Sequence, residues 1–207
     1  ETTLARDYAY LEKYVGIDKV YLETYRDGTW VAIDHMKMIQ NFFKKHGVEI
    51  AGGITTVTPP LEKDDVKRQR LFQTFCYSNE AMRTYLKKIV TYTAELFDEI
   101  ILDDFFFTSC TCDDCLRERS NLSWAEFRSK KMIDVAENLI LKPAKLANPS
   151  VKVTIKYPNW RESYHETGYV PKIQPSMFDK IYTGTETRNT AHTDLLVVPG
   201  KRRNRVG

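Results

Sequence analysis

Glu99-Ile100-Ile101-Leu102-Asp103-Asp104 runs three consecutive aliphatic side chains straight into two carboxylates. A short, near-continuous apolar run marks a strand covered on both faces, and such strands belong to parallel sheets flanked by helices. The two carboxylates stand at its C-terminal end. Neighbours on a strand point to opposite faces, so one of Asp103 and Asp104 looks to one side of the sheet and one to the other. Adjacent carboxylates at a buried strand end repel each other and lose hydration. That predicts an upward pKa shift in at least one of them, which a general acid requires. A helix N-cap or a loop ion pair is the structural alternative for such a pair.

On both sides of this strand the chain alternates helix and strand. Upstream, Leu4, Tyr8, Leu11 and Val15 recur at helical spacing over 4–15, and Gly16 closes that helix. Residues 19–24 are rich in β-branched and aromatic side chains and predict a strand. Residues 31–46 carry Ile33, Met36, Ile39, Phe42 and Phe43 on one helical face, with Gly47 in the C-terminal cap position. A strand over 48–54, a charged loop with Pro59-Pro60 and a helix over 79–96, capped by Ser78 or Asn79, follow. Downstream, Ser123-x-x-Glu126 is a capping box opening a long helix through Phe127, Met132, Val135, Leu139 and Ile140. Residues 151–155 and 180–183 read as strands, with a short helical turn within 171–178.

Five strands separated by helices or crossovers predict an α/β fold with a parallel sheet. A doubly wound sheet fits this alternation too, but no Gly-x-Gly-x-x-Gly phosphate loop accompanies it. Polar residues favour a (β/α)₈ TIM barrel: Glu23, Asp103, Asp104, Lys156, Tyr157 and Glu186 all fall at or just past C-terminal strand ends, the active-site face of a barrel. The 207 residues fall short of a whole barrel, which takes about 250. The expectation is therefore a partial barrel over 1–190 and an irregular tail over 191–207. Open sheet edges would favour self-association into a homo-oligomer.

The net charge of +3 is small and mixed along the chain, so neither nucleic acid nor a membrane is called for as partner. The basic run Lys201-Arg202-Arg203-Asn204-Arg205 reads as solvated tail. No segment has the layout of a signal peptide, and a secreted, periplasmic or cytoplasmic location stays open.

Two carboxyl groups flanking a scissile bond are what glycoside hydrolysis needs. Asp104 and Asp103 are the first catalytic candidates and Glu186 is the candidate partner. Glu23 suits catalysis or a sugar hydroxyl. Tyr25, Trp30, Tyr157 and Trp160 gather near the same strand ends, where aromatic rings can stack on the apolar faces of sugars, and Lys156 and Arg161 can bind hydroxyls or an acidic sugar. Phe105, Phe106 and Phe107 read as packing.

Cys110-x-Cys112-x-x-Cys115 lies on the loop after the carboxylates, and Cys76 precedes a helix upstream. Four thiolates satisfy tetrahedral zinc and leave no open position, the pattern of a structural Zn²⁺ site. Free thiols, or a Cys112–Cys115 redox pair, are the alternatives.

The succession Ile100-Ile101-Leu102-Asp103-Asp104, then Cys110-x-Cys112-x-x-Cys115, then Ser123-Trp124-x-x-Phe127-Arg128 resembles the fourth strand and following loop of TIM-barrel glycoside hydrolases. It is nearest to the bacterial zinc-containing β-galactosidases, and uncharacterised glycosidases also carry Asp-Asp-aromatic motifs at this strand. The resemblance covers roughly 75–135 by motif. It implies a barrel whose second to sixth strands are present here, zinc on the four cysteines, and an acid/base at Asp104 or Asp103. It implies hydrolysis of an oligosaccharide or polysaccharide; a non-catalytic carbohydrate-binding or truncated barrel is the alternative. Those β-galactosidases carry Asn-Glu at the strand end, where this chain has Asp-Asp and then Phe105. In that type the nucleophile belongs to the seventh strand, outside the segments found here, and nothing in these residues singles out galactose.

Overall fold

The computed structural model describes residues 2–58, 70–159 and 163–184. Trp160, Arg161, Glu186 and the tail from 191 onward lie outside the described residues.

The chain begins with helix α1 (Thr2–Tyr14) and strand β1 (Lys19–Arg26). β1 turns back through Asp27-Gly28, both at positive φ (51° and 83°), into the short strand β2 (Thr29–Trp30). Asp-Gly in this setting is the two-residue hairpin turn whose twist matches that of its strands. Helix α2 (Ile33–Lys45), strand β3 (Glu49–Ile54), helix α3 (Glu80–Leu96) and strand β4 (Glu99–Leu102) follow. Helix α4 (Asp113–Arg119) and helix α5 (Trp124–Val135) come next. α5 runs on through a π segment, Ala136–Leu141, into α6 (Lys142–Ala147). The wider turns come just before Pro143, whose ring and missing N–H would strain a regular ladder. Strand β5 (Lys152–Tyr157), helix α7 (Tyr164–Thr167) and strand β6 (Lys180–Thr183) complete the described chain.

The caps form as their residues dictate. The Asn79 side chain accepts the Met82 N–H at the start of α3, and Ser123 and Glu126 make the reciprocal capping box of α5. Within 171–178 a short 3₁₀ turn occupies Gln174–Ser176. The β1–β2 hairpin, α4, α7 and a 3₁₀ turn at Leu71–Gln73 are additions to the expected elements.

One six-stranded sheet has the order β2-β1-β3-β4-β5-β6, with every pair parallel except β1–β2. Among the described residues the parallel strands stand side by side in chain order. A doubly wound sheet would reverse direction at a switch point, and this one does not.

The two faces differ sharply. Ile54, Ile100, Leu102, Val153 and Ile155 point to the helices and are buried with Leu86, Ile89, Met132, Val135 and Leu139. Gly52 sits on that face where α3 comes closest: a Cβ there would lie 2.7 Å from Thr93 Cγ2 and 2.8 Å from Phe97 Cδ2. The register puts Lys19, Tyr21 and Glu23 of β1, Glu99, Ile101 and Asp103 of β4, and Lys152, Thr154 and Lys156 of β5 on the opposite face. Charge gathers there at both ends. At the N-terminal end Lys19 Nζ and Lys180 Nζ grip Glu99 at 2.8 and 2.7 Å. Tyr21 donates to the same carboxylate at 3.3 Å, and its oxygen lies 2.9 Å from that of Tyr182. Among the described residues no helix is long and apolar enough to cross a membrane.

Candidate active site

At the C-terminal end of the same face, three strands deliver a connected row of charges. Arg26 Nη1 lies 3.3 Å from Glu23 Oε2, and its Nη2 lies 3.6 Å from Asp103 Oδ2. Lys156 Nζ lies 3.2 Å from Asp103 Oδ1 and 3.9 Å from Asp104 Oδ2. The Thr55 hydroxyl donates to Glu23 from the end of β3. β4 fixes the centre of the row, because the Asp103 N–H continues its pairing to the Ile54 carbonyl at 3.0 Å.

The two aspartates have different surroundings. Asp103 is partly open, and its Oδ1 accepts the Asp104 N–H at 2.8 Å. Burial pushes its carboxyl up, but the Asp104 N–H and the Lys156 ammonium outweigh burial and hold it below the ordinary aspartate value. For Asp103, then, the upward shift expected of a crowded carboxylate pair is reversed, because a cation and a backbone donor were supplied as well. Asp104 is 2% exposed, in the turn beyond the strand, and its carbonyl accepts the Tyr169 hydroxyl at 2.8 Å. Burial, with the Asp104 charge next, drives the Tyr169 phenol well above its usual range, which keeps it a donor.

The segment after Asp104 carries Cys110, Cys112 and Cys115, and Cys76 reaches them from just before α3. Cys76, Cys110, Cys112 and Cys115 are free thiols whose sulfurs all lie within 4.8 Å of one another. The separations are 3.6 Å for Cys76–Cys112, 3.7 Å for Cys76–Cys115 and 3.8 Å for Cys112–Cys115. Ligand sulfurs at about 2.3 Å from a tetrahedral ion sit about 3.8 Å apart, so the shell has the dimensions of a four-thiolate site. Hydrogen bonds from Cys115 and Cys76 hold the Cys110 thiol far below its ordinary range. The same bonds push Cys115 up, and the bond to Cys110 raises Cys76 to about 12. Binding a divalent cation would displace the thiol protons and leave thiolate ligands. These four residues could hold a metal ion. Trp124 packs on the cluster from the α5 side, with the guanidinium groups of Arg119 and Arg128 at 4.9 and 4.8 Å from its ring centre.

Residues 1–201 match the family model described as "Probable glycosyl hydrolase, catalytic domain". The chain belongs to this family. A protein of Saccharolobus solfataricus, itself described as uncharacterised, is 32% identical over 198 residues, covering 85% of this chain and 33% of the relative. The cold-adapted β-galactosidase from Rahnella sp. R3 is similar in fold, with a TM-score of 0.65 at 11% identity over 89% of this chain and 36% of that one. The β-galactosidase of the psychrophilic Marinomonas ef1 gives a TM-score of 0.63 at 11% identity over 90% of this chain and 39% of that one. The chain thus spans about a third of the length of the curated relative it matches.

Within this glycosyl hydrolase domain the candidate residues fall into two groups. Glu23, Asp103, Asp104 and Lys156 come together in the charged row. Tyr25, Trp30 and Tyr157 do not. Strict alternation from Glu23 would put Tyr25 on the charged face, but a bulge between Glu23 and Tyr25 turns it to the helix side. There it is fully buried, donating to the Val57 carbonyl at 2.9 Å. Trp30 packs edge-on against Tyr25, Tyr85 and Tyr92 and donates to the Tyr85 hydroxyl at 2.7 Å, so α3 occupies its ring. Tyr157 is 5% exposed and packs on Tyr164 and Tyr169. Phe106 and Phe107 are fully buried, as packing residues should be. Sequence reasoning missed Arg26, the residue that joins Glu23 to Asp103. The hairpin signal Asp27-Gly28 beside it would have placed it at a strand end.

Proposed function

We propose that the chain is the catalytic core of a glycoside hydrolase built on part of a (β/α)₈ barrel, and that it cleaves a glycosidic bond of an oligosaccharide or polysaccharide. The observation that carries this is the row Glu23–Arg26–Asp103–Lys156 at the C-terminal strand ends of a domain that belongs to a glycosyl hydrolase family. Sequential parallel order and a polar face lined by alternate strand residues support the barrel.

Asp103 takes the ionised role. Its lowered pKa suits it to attack the anomeric carbon or to take a proton from the attacking water, and unsuits it to be the acid. Lys156 and Arg26 position it and offset the negative charge of the row. Asp104, buried in the turn beyond the strand, is the second candidate carboxylate of the pair, with Glu23 holding sugar hydroxyls. Glu186, outside the described residues, remains a candidate partner carboxylate. Cys76, Cys110, Cys112 and Cys115 would hold Zn²⁺ as a closed structural site. When bound it would supply cross-linking of the β4 loop to the segment before α3, and the carboxylates perform the chemistry.

Release of the aryl group from a panel of aryl glycosides tests this. Asp103→Asn and Asp104→Asn are each expected to lose about 10²–10⁴-fold in kcat/KM on the sugar that the unaltered protein turns over. Turnover that survives both substitutions sinks the assignment. Sugar binding without turnover on any member of the panel would make this a carbohydrate-binding barrel instead.

A further inference from the structure

Phe72 adopts a backbone conformation that a bulky side chain normally avoids, and its ring is left half in solvent. Its φ and ψ are 54° and 21°, and Gln73 follows at φ 54°. Left-handed conformations are costly for residues with a Cβ and persist where the surrounding structure enforces them, often beside functional sites. Here the enforcement is visible. The Leu71 N–H donates to Ser109 Oγ at 2.7 Å. Ser109 is itself held, its carbonyl accepting Arg128 Nη2 at 3.1 Å, while Arg128 Nη1 donates to the Glu166 carbonyl at 2.6 Å. The loops after β3, β4 and β5 are thereby laced together at the C-terminal end of the sheet.

The result is a shelf. Leu71 is 49% and Phe72 51% exposed. The Phe72 ring stands edge-on to Phe105 at 5.2 Å, and Phe105 directly follows Asp104. Beside the shelf lies a cleft of about 430 Å³ lined by Leu71, Phe72, Ser109, Arg128, Ser163 and Glu166. Its volume falls within the range of small-ligand sites, about 300–1,000 Å³. An exposed aromatic face beside hydroxyls, a guanidinium and a carboxylate matches the surface of a sugar ring, which has an apolar C–H face and a rim of hydroxyls.

We infer that Leu71 and Phe72 form a second sugar subsite, on the Phe105 side of the Asp103–Asp104 turn, so that the substrate is a disaccharide or longer. The inference rests on the glycoside hydrolase reading above. Phe72→Gly tests it cleanly, because glycine accepts the left-handed backbone and removes only the ring.

Lactose, cellobiose and maltose, with galactose and glucose as their monosaccharides, are titrated into the intact protein by calorimetry, and melting temperatures are recorded alongside. The unaltered protein should bind one disaccharide about tenfold or more tighter than its monosaccharide. Phe72→Gly should erase that preference, keep the monosaccharide affinity and melt at the same or a higher temperature. Phe72→Trp should retain the preference. A preference that survives Phe72→Gly, or no disaccharide preference at all, overturns the subsite. If the preference is Phe72-dependent but no glycoside is hydrolysed, the subsite stands and the hydrolase reading falls. If a disaccharide is hydrolysed with an unchanged KM in Phe72→Gly, the subsite falls and the hydrolase reading stands.

Discussion

The two ends of one sheet face carry the same kinds of side chain to opposite effect. At the N-terminal end Glu99 is gripped by two lysines and a tyrosine, and Lys19 also lies 3.9 Å from Glu49, so that two cations meet two carboxylates. At the C-terminal end three carboxylates, Glu23, Asp103 and Asp104, share two cations. The first arrangement is satisfied and offers a ligand little. The second holds more negative charge than it neutralises, and its central carboxylate is kept ionised. In barrels the N-terminal face serves stability and the C-terminal face chemistry; here the charge balance alone separates them.

The strongest way to break that contrast is to neutralise one acid at each end. Asp103→Asn should lower kcat/KM by about 10²–10⁴-fold, and melting only by what its ion pairs to Lys156 and Arg26 contribute. Glu99→Gln should hold activity and lower melting. An inactive but fully folded Glu99→Gln protein would mean that the two ends work as one unit.

Metal removal sharpens the contrast from another side, since the thiol cluster braces only the C-terminal loops. Prolonged treatment with a strong chelator should lower the melting temperature and release one Zn²⁺ per chain. For a bound ion at a thousandfold excess over its Kd, the stability at stake is about 4 kcal/mol. Cys110→Ser should reproduce the loss. Because Ser109 precedes Cys110 and holds Leu71, the loosening should show first in hydrogen exchange of 70–74 and 105–112, and last in β1 and β4 at the Glu99 end. A metal-to-protein ratio of zero on careful purification, with unchanged melting, would return the cysteines to ordinary free thiols.

How legible this was depended on how local each cause is. The β4 run, the Ser123–Glu126 capping box and the Asn79 cap were readable because each acts within a few residues. The thiol site was readable because three of its four members share one loop. Tyr25 was misplaced by one bulged residue, since a single insertion reverses the side on which everything after it points. The surroundings of Trp30 were not legible, because its ring partners Tyr85 and Tyr92 lie more than fifty residues on, in α3. Asp27-Gly28 marks Arg26 as a strand-end residue, but its bond to Asp103 was not legible because that carboxylate comes from another strand. Phe72 was invisible for the opposite reason: a left-handed phenylalanine breaks the very rule by which turns are read.

Gly52 offers a smaller test. It lies on the helix face, between the two charged ends, where Thr93 and Phe97 leave no room for a methyl group. Gly52→Ala should destabilise the protein by about 1–3 kcal/mol through overpacking, measurable as a lower urea midpoint. Because α3 backs the middle of the sheet, activity at temperatures below melting should survive. Selective loss of activity would show that the α3 packing positions the charged row directly.

The smallest effect is a pH dependence at the N-terminal end. Burial raises the Glu99 carboxyl, but hydrogen bonds from Lys180 and Lys19 outweigh it and the net shift is downward. A lowered folded pKa means that the group stabilises the fold above its unfolded value, about 4.3, and that this is lost as pH falls through the folded value. Part of the cluster is open to solvent, with the Lys180 side chain 42% exposed, so screening should keep the contribution below about 1 kcal/mol. Melting temperature followed from pH 6 downward should therefore fall slightly less in Glu99→Gln than in the unaltered protein. At pH 6 the same variant should already be the less stable of the two, because Lys19 and Lys180 are left facing each other without the charge between them. High salt should narrow that gap at pH 6. Identical curves at both salt concentrations would mean that the clasp contributes nothing measurable and that the difference between the two ends lies wholly in the carboxylates of the other.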